Sequence, residues 1–261
     1  MTNYKFITST NKNKILSSNY NYSEKIKAAL PFFSDEFYKN TNPIIAGSFI
    51  LRNVFSYNAP YEDIDLYFTT EGQRDYTNKY LYHIGNIQMD TSFATTYLVG
   101  TRMKIQVIKK IYSSQLDVIS NFDLTPAMIC YQPKFNSFTY EIGCLYAWYR
   151  KNIKLNVSPL FDISEITEEN CQNFFLYFNL LARRLKKYSQ RYQMTIDTDL
   201  IDQMDEAQNK LIEFTQNFCW AFRYFVQDSS GVQKQINVNS SNIENYINSL
   251  LDFENENLLP G

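Results

Sequence analysis

Two short stretches constrain this chain more than the rest of it. Ile44 to Phe55 reads as an apolar strand, a Gly47-Ser48 turn and the opening of a helix, and Glu62 to Phe68 reads as a second strand that carries Asp63 and Asp65. In a strand, residues i and i+2 point to the same face, so Asp63 and Asp65 project together while Ile64 and Leu66 turn into a core. Two carboxylates held side by side repel each other unless a cation lies between them. Hard oxygen donors of this kind suit magnesium, which is usually held by one or two carboxylates plus substrate phosphates. On the other side, Gly47 lets the backbone approach a phosphate closely, the amides that open the next helix supply donors at the positive end of its dipole, and Ser48 adds a hydroxyl. One half is built for an anion and the other for a metal that bridges it, the requirements of a nucleoside triphosphate. Alone, a Gly-Ser turn is most simply a helix cap, and an Asp-x-Asp is most simply a solvated edge strand. Their order and proximity favour the joint reading.

At these residues the chain resembles the nucleotidyltransferases of the DNA polymerase beta superfamily, and within them the small nucleotidyltransferase-like proteins of bacteriophages and large DNA viruses. Met103 to Ile108, Val118 to Thr125 and Leu181 to Tyr188 carry the narrower likeness, and the resemblance covers roughly residues 40 to 195. It implies an α+β fold, a mixed β-sheet flanked by helices with a helical C-terminal domain. The implied activity is transfer of a nucleoside monophosphate from an NTP to a hydroxyl of RNA, tRNA or a protein, with magnesium (or manganese) as cofactor. Asp63 and Asp65 would hold the metal and act in catalysis, while Gly47 and Ser48 would hold the β and γ phosphates. Arg52, one turn into the helix, would neutralise developing charge. Lys104 would line the substrate side of its strand, and Arg183, Arg184 and Lys187, on a helical Arg-x-x-Lys-Tyr element, would contact the triphosphate or an acceptor.

Active members commonly place a third carboxylate on the strand beside Asp-x-Asp. This chain offers Gln106 there, which is neutral and cannot act as a general base. Asp123 is the alternative third acid. A second reading follows: a catalytically inactive protein that keeps the fold as a scaffold or interaction subunit, for instance in a viral assembly.

The 261 residues suffice for one large domain or two small ones. A net charge of −2 argues against a protein that coats nucleic acid, without excluding a local basic groove. Cys130, Cys144, Cys171 and Cys219 show no Cys-x-x-Cys spacing and His83 is the single histidine, so neither a zinc site nor a Cys/His nucleophile pair is expected. The cysteines read as buried apolar fillers in a reducing compartment. No apolar run is long enough to span a bilayer and the start of the chain is polar. The expectation is therefore a cytoplasmic protein without membrane contact, in the host cytoplasm if the protein is viral.

The organisation reads as a flexible segment 1–22, a nucleotidyltransferase-like domain 23–156 and a helical domain 157–261. Ser23 to Asn40 reads as a helix kinked or divided at Pro31. Ser92 to Ile108 reads as a hairpin, and Leu124 to Tyr131 as a strand with Pro126 at an edge. Gly143 to Asn152 reads as a helix, and His83 falls in a tyrosine-rich loop. In the last domain Thr167 caps a helix with an apolar stripe from Cys171 to Tyr192. A second helix spans Leu200 to Gln227 and a short one Asn242 to Leu251.

Overall fold

Burial alternates along the strand that carries the two aspartates, and this alternation sets the architecture. In the computed structural model, which describes residues 7–8, 22–55, 63–156, 167, 171–217, 225–227 and 233–235, Ile64 and Leu66 are fully buried while Asp63 and Asp65 are half-buried. Eight strands form one mixed sheet: β1 (Ile7–Thr8), β2 (Ile44–Ala46), β3 (Asp63–Phe68), β4 (Gly85–Asp90), β5 (Ala94–Val99), β6 (Met103–Ile111), β7 (Ile129–Gln132) and β8 (Ser137–Tyr140). Their spatial order is β1-β8-β7-β2-β3-β6-β5-β4. β2 runs antiparallel to β3, but β3 and β6 are parallel. A parallel pair requires a crossover, here made by a helix and the β4–β5 hairpin.

Among the described residues of the first unit, which spans Met1–Arg150, six helices are found: α1 (Tyr22–Ala28), α2 (Asp35–Thr41), α3 (Ser48–Phe55), α4 (Glu71–Ile84), α5 (Gln115–Ser120) and α6 (Ile142–Arg150). Residues opposite each other in a sheet share a face, so Asp65 lies on one face with Ala46 of β2, Gln106 of β6 and Thr96 of β5. The other face is covered by helices. There the Tyr97 hydroxyl donates to Asn78 of α4 at 3.0 Å, and Tyr131 is hydrogen-bonded to Ser23 of α1. On the aspartate face, α5 covers the β7–β8 end, where the Thr139 hydroxyl donates to the Gln115 side chain and the Cys130 thiol lies 3.9 Å from the Gln115 carbonyl.

The second unit, Lys151–Gly261, contains β9 (Asn152–Ile153), α7 (Cys171–Tyr192), β10 (Thr195–Ile196), α8 (Thr198–Asn217), β11 (Phe225–Gln227) and β12 (Gln233–Gln235). Phe178, Leu181 and Leu185 of α7, with Met204, Ala207 and Leu211 of α8, are fully buried at helical spacing, and the two helices are in contact. The α+β class, a mixed sheet flanked by helices followed by a largely helical part, is the one the sequence implies.

Several elements differ from expectation. Pro31 divides the first helix outright into α1 and α2, and Ser34 caps the second through Phe37 N–H at 3.1 Å. Within the segment expected to be flexible, Ile7–Thr8 pairs with β8. Glu71 to Ile84 is a helix, so His83 sits exposed in its last turn rather than in a loop. Leu124 to Tyr131 is not one strand: Thr125–Ala127 forms a 3-10 turn, whose first turn accommodates Pro126 because that residue lacks an N–H to satisfy, and β7 follows. The last long helix is described as far as Asn217, and Phe225–Gln227, expected to be its end, pairs antiparallel with β12 instead. Residues 168–170, which follow the expected cap Thr167, lie outside the described residues, as do Cys219 and the helix expected over Asn242 to Leu251.

Candidate functional site

Gly47 closes β2 with φ +77°, and a Cβ built on it would stand 2.1 Å from Asp65 Oδ2. Only a residue without a side chain admits both that backbone conformation and that carboxylate. The juxtaposition follows from local sequence: Ala46 is opposite Asp65 in the β2–β3 ladder, so the turn after Ala46 must pass over the carboxylate. The Gly47 carbonyl then accepts from Ile50 and Leu51 N–H at 3.1 and 3.2 Å and starts α3 at this spot.

Along α3, Ser48, Arg52 and Phe55 are half-buried while Phe49, Ile50, Leu51, Asn53 and Val54 are buried. Positions i, i+4 and i+7 form one stripe, so Arg52 lies on the face that begins with Ser48. The stripe ends on a stacked pair: the rings of Phe55 and Trp148 of α6 are 4.6 Å apart and inclined by 8°. Trp148 is fixed in turn, its Nε1–H donating to the Pro126 carbonyl at 2.9 Å.

Across β3, Gln106 stands opposite Asp65 and Lys104 opposite Asp63. Gln106 Nε2–H donates to Asp63 Oδ2 at 3.1 Å, and Lys104 is exposed. Asp123 is buried in the segment after α5. Its neighbour Phe122 meets Tyr67 edge-on at 6.1 Å, and Tyr67 lies two residues beyond Asp65 on the aspartate face. Among the described residues no group of three or more His, Cys, Asp or Glu could hold a metal ion. The first unit therefore brings together Gly47, Ser48, Asp63, Asp65, Lys104 and Gln106.

Arg183, Arg184 and Lys187 lie half-buried on α7 of the second unit. The Arg183–Lys187 run is not one solvated basic face, because Lys186 within it is 2% exposed and belongs to the buried side of the helix. Glu141 escapes sequence reasoning. It is buried where β8 passes into α6, and its Oε2 accepts from Gly143 N–H at 2.6 Å as a helix cap. A glutamate between a strand and a helix, two residues before a glycine, is the signal that marks it. Burial, with the Glu141 charge second, pushes the Cys144 thiol well above its ordinary range, and burial does the same to Cys130. No helix among the described residues is long and apolar enough to cross a membrane.

An acidic strand pair beside a glycine turn, on a mixed sheet of this order, defines the nucleotidyltransferase class of fold, and solved structures agree. The chain is similar to the Thermotoga maritima CCA-adding enzyme complexed with tRNA, at 13% identity and TM-score 0.52 over 75% of this chain and 46% of that one. It is similar also to an apo CCA-adding enzyme (12%, TM-score 0.52, 95% and 54%) and to a CCA-adding enzyme with CTP (12%, TM-score 0.50, 81% and 49%). At this identity the likeness is one of fold, and the chain spans about half the length of these structures. No curated protein matches it in sequence. Residues 16–151 match the Gabija anti-defense 2 family, and the chain belongs to that family.

Proposed function

We propose that the protein is a metal-dependent nucleotidyltransferase. An acceptor hydroxyl forms a new O–P bond to the α-phosphorus of an NTP, the bond to the β-phosphate oxygen breaks, pyrophosphate leaves and the hydroxyl proton is released. The observation that carries this reading is the contact of Gly47 with Asp65, which holds the glycine turn and the start of α3 against one carboxylate of the pair. Asp63 and Asp65 offer the hard oxygens that suit magnesium, with manganese as a substitute, and they would hold it. When bound, such an ion neutralises phosphate charge and orients the triphosphate.

Gly47, Ser48 and the first amides of α3 hold the β and γ phosphates. Arg52, on the same stripe as Ser48, offsets the charge that grows on the leaving pyrophosphate. Lys104 adds positive charge opposite Asp63. Asp123, on the segment that runs over the aspartate face, takes the proton of the attacking hydroxyl. Arg183, Arg184 and Lys187, on α7 of the second unit, contact a nucleic-acid acceptor.

The tRNA in one CCA-adding structure favours RNA as the acceptor class, with a protein hydroxyl as the other candidate, and the CTP in another favours an NTP as the donor. The family's name supports a role against a defence called Gabija, and we place that role in the cytoplasm, the host's if the protein is viral. The test is incubation with each labelled NTP, magnesium or manganese, and mixed RNA and protein acceptors. Label transfer that disappears in an Asp63→Ala, Asp65→Ala double variant supports the reading. Transfer that survives in that variant, or no transfer to any acceptor, contradicts it.

One observation favours a second reading, an inactive scaffold or interaction subunit. A neutral Gln106 donates a hydrogen bond to Asp63 on the strand where active relatives are expected to carry an acid. Unchanged action of the Asp63→Ala, Asp65→Ala variant against its target would support the scaffold.

A further inference from the structure

The carboxamide of Gln106 sits where it can set how the acidic pair binds a cation. Gln106 is opposite Asp65 in the β3–β6 ladder, yet its Nε2 reaches across to Asp63 Oδ2 at 3.1 Å. It therefore bonds one aspartate while standing opposite the other on the neighbouring strand. An N–H directed at one carboxylate oxygen fixes the rotation of that carboxylate and draws on its charge. The same side chain brings no negative charge of its own. Among the described residues nothing else supplies it, since no group of three acids or histidines gathers there. Affinity of an oxygen site for a divalent cation follows the number of charged ligands and the rigidity of the site, and magnesium gives up its water reluctantly.

A rigid site of two carboxylates is thus a poor trap for a free ion. It becomes a good one when triphosphate oxygens, delivered at Gly47 beside Asp65, supply the remaining charge. We infer that Gln106 is a positioning residue that makes cation uptake conditional on the nucleotide: it orients Asp63 through one hydrogen bond and withholds a third carboxylate, so that the ion enters with the triphosphate rather than before it. This inference rests on the nucleotidyltransferase reading of the site.

The experiment is Mn2+ binding to the full chain, read by the loss of the free-ion paramagnetic signal, with and without a non-hydrolysable NTP. Wild type, Gln106→Glu and Gln106→Ala are compared, with circular dichroism as a check on folding. In wild type the analogue should tighten Mn2+ by at least about tenfold, and the Gln106→Glu change should tighten free Mn2+ by about tenfold and shrink the dependence on nucleotide. Gln106→Ala, which removes the orienting N–H and adds no charge, should weaken Mn2+ in the presence of the analogue by about three- to tenfold. Shifts of opposite sign at one position are not what a merely structural residue produces.

Equal Mn2+ affinity with and without the analogue in wild type overturns the inference while leaving the nucleotidyltransferase reading intact. So does a Gln106→Glu protein that folds and binds free Mn2+ no better, or a Gln106→Ala protein unchanged in both states. Failure of wild type to bind either Mn2+ or the analogue overturns both.

Discussion

Replacing Gly47 by alanine tests the site at its tightest point, and a second glycine supplies the control. Gly47 has φ +77° and a new Cβ there would stand 2.1 Å from Asp65 Oδ2, more than an ångström short of ordinary contact. Gly100, in the turn between β5 and β6, has φ +64° with nothing within 4 Å of the same construction. An L-residue in the left-handed region costs about 1–2 kcal/mol, and both variants incur this. Crowding a packed position costs about 1–3 kcal/mol more, and Gly47→Ala alone incurs that.

Denaturant unfolding should therefore show Gly100→Ala destabilised by about 1–2 kcal/mol and Gly47→Ala by about 2–5 kcal/mol. Because the added methyl can be accommodated only by moving Asp65 or the turn, binding of a non-hydrolysable NTP with Mn2+ should be lost in Gly47→Ala and kept in Gly100→Ala. Equal destabilisation of the two variants, with nucleotide binding retained in both, would refute the idea that the Gly47–Asp65 contact builds the site.

Three further outcomes are expected. Trp148→Ala removes the stack on Phe55 and leaves the Pro126 carbonyl without its indole donor, so stability should fall by about 3–5 kcal/mol. Trp148→Phe keeps a ring but not the N–H, and should lose about 1–3 kcal/mol in the same unfolding assay. Asp117 is held below the usual carboxylate range, chiefly by the Ser113 backbone N–H, with the Ser113 hydroxyl, Lys110 and Asn121 adding to it. A carboxylate depressed in the folded state contributes its stability above its unfolded value of about 4 and loses it as pH falls through the lower folded value. The stability gap between wild type and Asp117→Asn should accordingly be full at neutral pH and close below about pH 4 in a pH series of melting curves.

What the sequence made legible, and what it hid, divides along physical lines. Gly47 beside Asp65 can be read because Gly47 follows a strand and Asp65 lies in the next, the two strands being adjacent in sequence and in space, and a two-residue period needs no distant information. The place of Gln106 beside the aspartate strand comes from the resemblance, through the match of Met103 to Ile108, and not from any local pattern. Glu71 to Ile84 carries no amphipathic helical signature in sequence because only Thr77 and Leu81 of its fourteen residues are buried, too few to mark a face. β4 was missed because it is an exposed edge without alternation.

The run Leu124 to Tyr131 misled in the opposite way. Its apolar residues are buried, but the segment combines a 3-10 turn with a short strand, and short apolar runs carry no period that separates the two. Lys186 shows the limit of reading charge as surface: a lysine on the buried side of α7 owes its place to tertiary packing, which no local pattern records.

The most direct measurement is a crystal of the protein soaked with a non-hydrolysable NTP and manganese, using the anomalous signal to locate the ion. The account predicts the ion bound to both Asp63 and Asp65, the triphosphate against Gly47 and Ser48, and Gln106 still hydrogen-bonded to Asp63. A nucleotide seated elsewhere, or at Gly47 with no ion on the two aspartates, would contradict it.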